Sequence, residues 1–215
     1  MDELSLIQKI IVMVIPVLFA ITVHETAHGW VAKYYGDKTA WMLGRLTLNP
    51  IKHIDPVGTI LVPGLMFMFT GFAFGWAKPV PVNTRNLRNP KRDMALVALA
   101  GPVANLLMAT GWAILIKISL LINMPEYSVP LIYVGVVGIE INLILGLLNL
   151  LPIPPLDGSR ILSWALPGRW SYYYNQFEQY GFYLLVVLLM TNSLGTILGY
   201  PLGMARAFFF SLAGL

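Results

Sequence analysis

Two histidines and a glutamate carry the first chemical signal in this sequence. The run Thr22-Val23-His24-Glu25-Thr26-Ala27-His28-Gly29-Trp30 has the spacing H-E-x-x-H, inside a segment otherwise apolar from Leu4 to Ala32. Positions four apart share a helix face, so His24 and His28 point the same way. Two neutral imidazoles so placed can hold one metal ion, and Glu25 beside them can act as the general base that takes a proton from water. In a membrane-spanning helix each ionisable residue costs roughly 2.5–3.5 kcal/mol or more at the bilayer centre. Three within five positions therefore argue for chemistry, against the alternative of a hydrogen-bonded polar patch lining a helix interface.

The composition supports a membrane setting. Of 215 residues, 57% are hydrophobic and 11% charged, where a soluble chain carries about 25% charged residues. The length allows one compact bundle, read as a single domain over residues 1–215. There is no cysteine, so a metal would be bound by His, Asp, Glu or Asn rather than by thiolates. The net charge is +4. Its basic residues flank apolar runs, which points to anionic lipid headgroups and away from nucleic acid. The first apolar run is too long for a secretory signal and lacks a small-residue cleavage site, so it reads as a retained helix.

The expected architecture is an all-α polytopic bundle of about five membrane helices. Helix one covers roughly Leu4–Tyr35, kinked at Pro16. The region of about 38–83 follows, with strand formers around Gly44 predicting a short hairpin over Thr39–Leu48. Val57–Phe74 is apolar but carries Gly58, Pro63, Gly64 and Gly71, which speaks against a plain spanning helix. Helix two covers Asp93–Asn123, helix three Val129–Leu151, a short helix Gly158–Leu166, helix four Tyr172–Met190, and a last apolar segment Leu194–Leu215. In that last segment Gly195, Gly199 and Gly203 recur every four residues, a spacing that lets another helix approach closely. Packing inside the bundle is expected, and no residue pattern assigns an oligomeric state.

Two histidines do not complete a catalytic site, which usually has three protein ligands. The candidates for the third are His53, Asp55, Asp93, Glu140 and Asp157. Asp157 is preferred, because it follows a helix ending in Pro152-Ile-Pro-Pro and has Gly158 beside it and apolar neighbours. Its ordinary alternative role is an N-cap. Glu140 lies mid-helix, roughly 15 Å from that end at 1.5 Å per residue, and would pair with Lys117 or stay protonated. His53 falls in a polar loop and is expected to be solvated.

These ligands constrain the topology. His24 and His28 lie near the end of helix one and Asp157 just past helix three, so an even number of crossings must separate them. Helices two and three supply two. Val57–Asn83 must then enter the membrane and return on the same side, which irregular backbone can do only when covered by protein or lining a wet cavity. That assignment puts Lys33, Lys38, Arg45, Lys52, Lys78, Arg85, Arg88, Lys91, Arg92, Arg160 and Arg169 on one side, and chiefly Asp2, Glu3, Lys9 and Glu126 on the other. The basic side is the cytoplasmic one. The N-terminus is then outside and the metal site nearer the cytoplasmic face.

Asn105 and Asn149 are polar residues at comparable depth. Each could hold a substrate carbonyl or oxyanion, or equally glue helices together. Gly75–Asn83 could offer a strand edge, at Trp76, Lys78, Val80 and Val82, to the unwound backbone of a substrate, or it could be a structural loop.

The sequence resembles the site-2 protease family of intramembrane zinc metalloproteases. The resemblance rests on His24-Glu25-Thr26-Ala27-His28, on Gly101-Pro102-Val103-Ala104-Asn105 and on Asn149-Leu150-Leu151-Pro152-Ile153-Pro154-Pro155-Leu156-Asp157-Gly158, in the family's order. Gly75–Asn83 looks like that of short bacterial and archaeal members, which implies a prokaryotic cell membrane. The resemblance implies one zinc ion per chain on His24, His28 and Asp157, and Glu25 as the base. It also implies that Asn105 and Asn149 assist substrate or intermediate. The implied substrate is a transmembrane segment of another membrane protein. The PDZ or CBS domain that many members carry has no room in this length. The rival readings are a metal transporter, which would need more carboxylates or histidines along a path than Glu140 offers, and a protein that holds membrane helices without cutting them, against which the intact Glu25 speaks.

Overall fold

The computed structural model describes residues 5–70, 75–122 and 124–215, and every regular element among them is helical. Helix α1 (Leu6–Tyr34) starts with a capping box, in which Ser5 Oγ accepts from the Gln8 N–H and Gln8 Oε1 accepts from the Ser5 N–H. Such reciprocal bonds satisfy two backbone donors that a helix start leaves unpaired. Its buried face repeats every fourth residue: Val12, Pro16, Ala20, His24, His28 and Ala32. The His24/His28 pair therefore continues the stripe that packs the helix. At Gly36 the backbone turns with a φ of 114°, a conformation open mainly to glycine.

Asp37 then takes over the chain direction. Its Oδ1 accepts from the Thr39 N–H and hydroxyl and from Asn86 Nδ2, and its Oδ2 accepts from the Asn83 N–H. These bonds start a short helix, α2 (Thr39–Met42), where the expectation was a hairpin over Thr39–Leu48. Local carboxylate bonds to the backbone compete with a strand ladder and here replace it.

A 3₁₀ turn (Pro50–His53), a wide helical turn (Pro56–Leu61) and α3 (Val62–Thr70) follow. Asp55 caps the wide turn by accepting from the Val57 and Gly58 N–H groups. Residues 71–74, the far end of the expected Val57–Phe74 excursion, lie outside the described residues. The chain nevertheless returns beside its own outward path. The Trp76 N–H donates to the Gly58 carbonyl at 2.9 Å and the Lys78 N–H to the His53 carbonyl at 2.9 Å. An excursion that comes back to its starting point is what the ligand topology required.

Helices α4 (Pro90–Ser119) and α5 (Pro125–Asn149) are the two crossings that bring the chain back to α1's end. A bend containing a cis Pro154–Pro155 bond leads into α6 (Asp157–Ala165), α7 (Gly168–Gln176), α8 (Glu178–Met190) and α9 (Ser193–Ala213). Gly158 is required in the bend, because a Cβ there would overlap the Leu150 carbonyl.

Among the described residues, four helices are long and apolar enough to cross a membrane: α1, α4, α5 and α9. The expected fifth, Tyr172–Met190, breaks at Phe177 into α7 and α8. The polar residues Arg169, Asn175, Gln176 and Glu178 leave only a short apolar stretch. The 13 residues of α8 cover about 20 Å at 1.5 Å each, short of a hydrocarbon core of about 30 Å.

Helix α4 is central and packs on α1, α5, α6 and α9. Ala109, Ala113 and Ile116 meet Ile139 and Leu143 of α5 and Phe209 and Ala213 of α9. Gly195, Gly199 and Gly203 do not join this core, contrary to expectation. They are exposed, and a Cβ at Gly199 or Gly203 would meet nothing within 4 Å. The opposite face, through Leu202, Ala205 and Phe209, is the one that packs. Glu140 pairs with Arg206 of α9, whose Nε donates to Glu140 Oε2 at 2.8 Å, in place of Lys117.

Candidate metal centre

The end of α1, the middle of α4 and the bend after α5 converge on three ligand atoms. His24 Nε2 and His28 Nε2 are 3.0 Å apart, and each lies 3.3 Å from Asp157 Oδ2. Both histidines are buried, at 7% and 9% exposure. The rings meet edge to face.

The outer nitrogens show which inner atoms carry lone pairs. His28 Nδ1 faces the Val97 carbonyl at 2.7 Å, and His24 Nδ1 faces Asn105 Oδ1 at 2.6 Å. Both partners are oxygen acceptors, so each Nδ1 donates and each Nε2 presents a lone pair. Two lone pairs and a carboxylate oxygen then point at one another. Asp157 Oδ2 is buried and has no hydrogen-bond partner, and a buried polar atom left so is costly. A cation resolves the conflict. Zinc held by bonds of about 2.0–2.1 Å would set its ligand atoms about 3.3 Å apart, and the three separations here are 3.0, 3.3 and 3.3 Å. The donor set of two imidazoles and one carboxylate, with a fourth position left for reaction, fits zinc.

Asp157 is free to serve as a ligand because it does not cap. Leu156 is the N-cap of α6, and Asp157 is its first helical residue with no capping bond. Asp157 can bind a metal only as the ionised carboxylate, and a cation between it and the two Nε2 lone pairs is what would favour that form.

Glu25 lies one residue from His24 and turns to the strip that returns from the excursion. The Val80 N–H donates to Glu25 Oε2 at 2.7 Å. The strip is held elsewhere by the Gly58 and His53 carbonyls and by Arg45, whose Nη2 donates to the Lys78 carbonyl at 2.9 Å. The N–H groups of Trp76, Lys78 and Val80 thus all point into the protein. Residues two apart share a direction in extended chain, so the other edge has Ala77 as a donor, while Pro79 and Pro81 have none to give.

His53 is not solvated, against expectation. It is 2% exposed, with Nε2 2.9 Å from the Thr47 carbonyl. That carbonyl also accepts from Thr26 Oγ1 at 2.9 Å, so His53 helps fasten the loop onto α1. Asn105 is fully enclosed and touches His24. Asn149 is half-buried, and its Nδ2 donates to Leu145 of its own helix at 3.0 Å.

Three participants escape a reading of the sequence: Gly101, the Val97 carbonyl and Asn142. A Cβ at Gly101 would lie 2.6 Å from His28 Cε1 and 2.7 Å from His24 Nε2, so glycine lets α4 press its backbone on both rings. The Val97 carbonyl stands next to that of Ala98, the one that Pro102, having no N–H, leaves without its helical donor. Asn142 stands two residues beyond Glu140. That is about 200° round a helix, so Glu140 meets Arg206 while Asn142 faces α4. A second intramembrane amide on the opposite face from a carboxylate was the available signal.

The fold and this centre define a polytopic helical membrane protein with a candidate metal site, in which the H-E-x-x-H histidines meet a distant aspartate. Residues 126–192 match the family model described as Peptidase family M50. The chain is 42% identical over 198 residues to "Putative zinc metalloprotease YwhC" of Bacillus subtilis (strain 168), covering 88% of this chain and 84% of that one. It is 31% identical over 193 residues to "Putative zinc metalloprotease Rip2" of Mycolicibacterium smegmatis, covering 89% and 71%. It is 32% identical over 151 residues to "Putative zinc metalloprotease MJ0611" of Methanocaldococcus jannaschii, covering 69% and 66%. No solved structure matches the chain. The chain belongs to peptidase family M50, the site-2 protease family of zinc metalloproteases.

Proposed function

We propose that this chain is an intramembrane zinc endopeptidase that hydrolyses peptide bonds in or beside the membrane-spanning segments of other proteins. The observation that carries the reading is the trio His24 Nε2, His28 Nε2 and Asp157 Oδ2, packed among membrane-length helices with Glu25 beside it.

His24, His28 and Asp157 hold the ion. When bound there, zinc supplies Lewis acidity toward a peptide carbonyl and a water. Glu25 takes the proton from the water and returns it to the leaving amine nitrogen. Asn149, half-buried at the end of α5, is assigned to steadying the substrate carbonyl as it gains charge. Asn105, with no exposure, is assigned to His24. Substrate pairing at Trp76, Lys78, Val80 and Val82 requires the strip to release the bonds its N–H groups make at 76, 78 and 80. That release also frees Glu25 from Val80. The basic residues around the α1–α4 end, Lys33, Arg88, Lys91 and Arg92 among them, favour the cytoplasm for that side and the outside for the N-terminus.

The test is Glu25→Gln. The purified variant should retain zinc, and comparative membrane proteomics of wild-type and variant cells should reveal fragments that depend on the base. Cleavage retained by the variant overturns the role of Glu25. A zinc-binding wild type that yields no base-dependent fragment points to transport or helix binding instead.

A further inference from the structure

The two ligand histidines are oriented by partners of different kinds. The Val97 carbonyl facing His28 can only accept. The side-chain amide facing His24 could present either its oxygen or its nitrogen, and the choice decides which ring nitrogen of His24 is protonated. Something must set that amide.

The hydrogen bonds behind it run in one direction. Asn142 Nδ2 donates to the Gly138 carbonyl at 2.8 Å. That carbonyl cannot donate, so Asn142 must turn its oxygen the other way. Asn142 Oδ1 then accepts from Asn105 Nδ2 at 2.8 Å, which leaves Asn105 Oδ1 to accept from His24 Nδ1 at 2.6 Å. Both asparagines are 0% exposed, so water cannot replace a missing partner. Reversing either amide sets oxygen against oxygen or donor against donor, and a buried group left unpaired costs about 1–3 kcal/mol.

We infer that Asn142 is a positioning residue for the metal: acting through Asn105, it keeps His24 protonated at Nδ1 and so presents Nε2 for ligation. The inference rests on the metal reading of the site. It differs from a plain interhelical tie between α4 and α5, which would affect stability without affecting which nitrogen of His24 bears the proton.

The experiment measures zinc affinity by chelator competition on the full-length protein in detergent. It also measures ring-nitrogen protonation in the metal-free protein, above neutral pH, by NMR of ¹⁵N-labelled histidine. The chain has only three histidines, so the signals can be assigned by single substitutions. Asn142→Leu should weaken zinc binding about 10–100-fold, the usual effect of losing an outer partner, and should produce a His24 population unprotonated at Nδ1. The decisive comparison uses Asn105→Asp, whose two carboxylate oxygens both accept, so that orientation no longer matters. In that background Asn142→Leu should change zinc affinity by no more than about twofold, within ordinary additivity error. Equal losses in both backgrounds, or no loss in either, overturn the inference. So does a metal-free wild type with His24 unprotonated at Nδ1, a measurement that needs no variant of Asn142 to fold. A wild type that takes up no zinc refutes the metal reading and this inference with it, whereas a zinc-binding wild type with the wrong protonation at His24 refutes this inference alone.

Discussion

Gly101→Ala adds one carbon at the point where α4 touches both ligand rings. The new Cβ would crowd His24 Cε1 most closely and would lie 2.6 Å from His28 Cε1 and 2.7 Å from His24 Nε2, where ordinary contact begins at 3.4 Å, a shortfall of about 0.7 Å or more at every one of them. Neither ring can yield alone, because each is held at Nδ1 by a short bond on its far side. The helices must part, or the rings must tilt. Zinc sites tolerate ligand displacements of only about 0.2 Å, so zinc affinity should fall at least about 10–100-fold, comparable to losing an outer partner. Overpacking of this kind also costs about 1–3 kcal/mol of stability. Gly111 on the same helix is the matched control, since a Cβ there meets nothing within 4 Å. Gly111→Ala should leave zinc binding unchanged and stabilise the helix by up to about 1 kcal/mol. Chelator competition and thermal unfolding in detergent read both quantities. If Gly101→Ala binds zinc like wild type and melts like Gly111→Ala, the close approach of α4 to the histidines is wrong.

Two further expectations concern the frame around the site. Asp37 is buried, which by itself raises its pKa, but bonds from Thr39, Asn86 and Asn83 outweigh this and hold it below the usual carboxylate range. A depressed folded-state pKa means stability that is present above the unfolded value, about 3.9, and lost as pH falls through the folded one. Asp37→Ala should lower thermal stability at neutral pH and flatten its decline in acid, and an unchanged acid profile would contradict this. The Glu140–Arg206 pair ties α5 to α9. Arg206→Leu should lower the melting temperature, because it strands a carboxylate at membrane depth, where a bare charge costs roughly 2.5–3.5 kcal/mol. The double variant Glu140→Leu/Arg206→Leu should recover most of the loss, since the pair's removal leaves no unpaired charge. A double variant as unstable as the single would show that the pair matters for more than charge.

Much of the site was legible because its signals are local or carry a parity constraint. H-E-x-x-H places two imidazoles on one helix face whatever the helix packs against. Asp157 stood out as a carboxylate in an apolar bend, and the even count of crossings then demanded a returning excursion, which the Trp76–Gly58 and Lys78–His53 bonds describe. Helix boundaries within long apolar runs were readable for the same reason, as hydrophobic length is a property of the chain alone. The break at Phe177 shows the limit of that reading, because a run of aromatic residues counts as apolar while its polar neighbours deny it a full span. The Thr39–Leu48 stretch failed as a hairpin because the partners of Asp37 lie partly in another segment, at Asn83 and Asn86.

What the sequence determined by itself was therefore the groups available for chemistry: two imidazoles, a carboxylate and a glutamate, set among apolar runs of membrane length. Only tertiary packing decided that Gly101 brings a helix backbone onto the rings, that Asn105 and Asn142 set the proton on His24, and that His53 serves the loop and not the metal. These are relations between atoms from different helices, and a hydrogen bond or a steric contact between them exists only once the helices have been brought together.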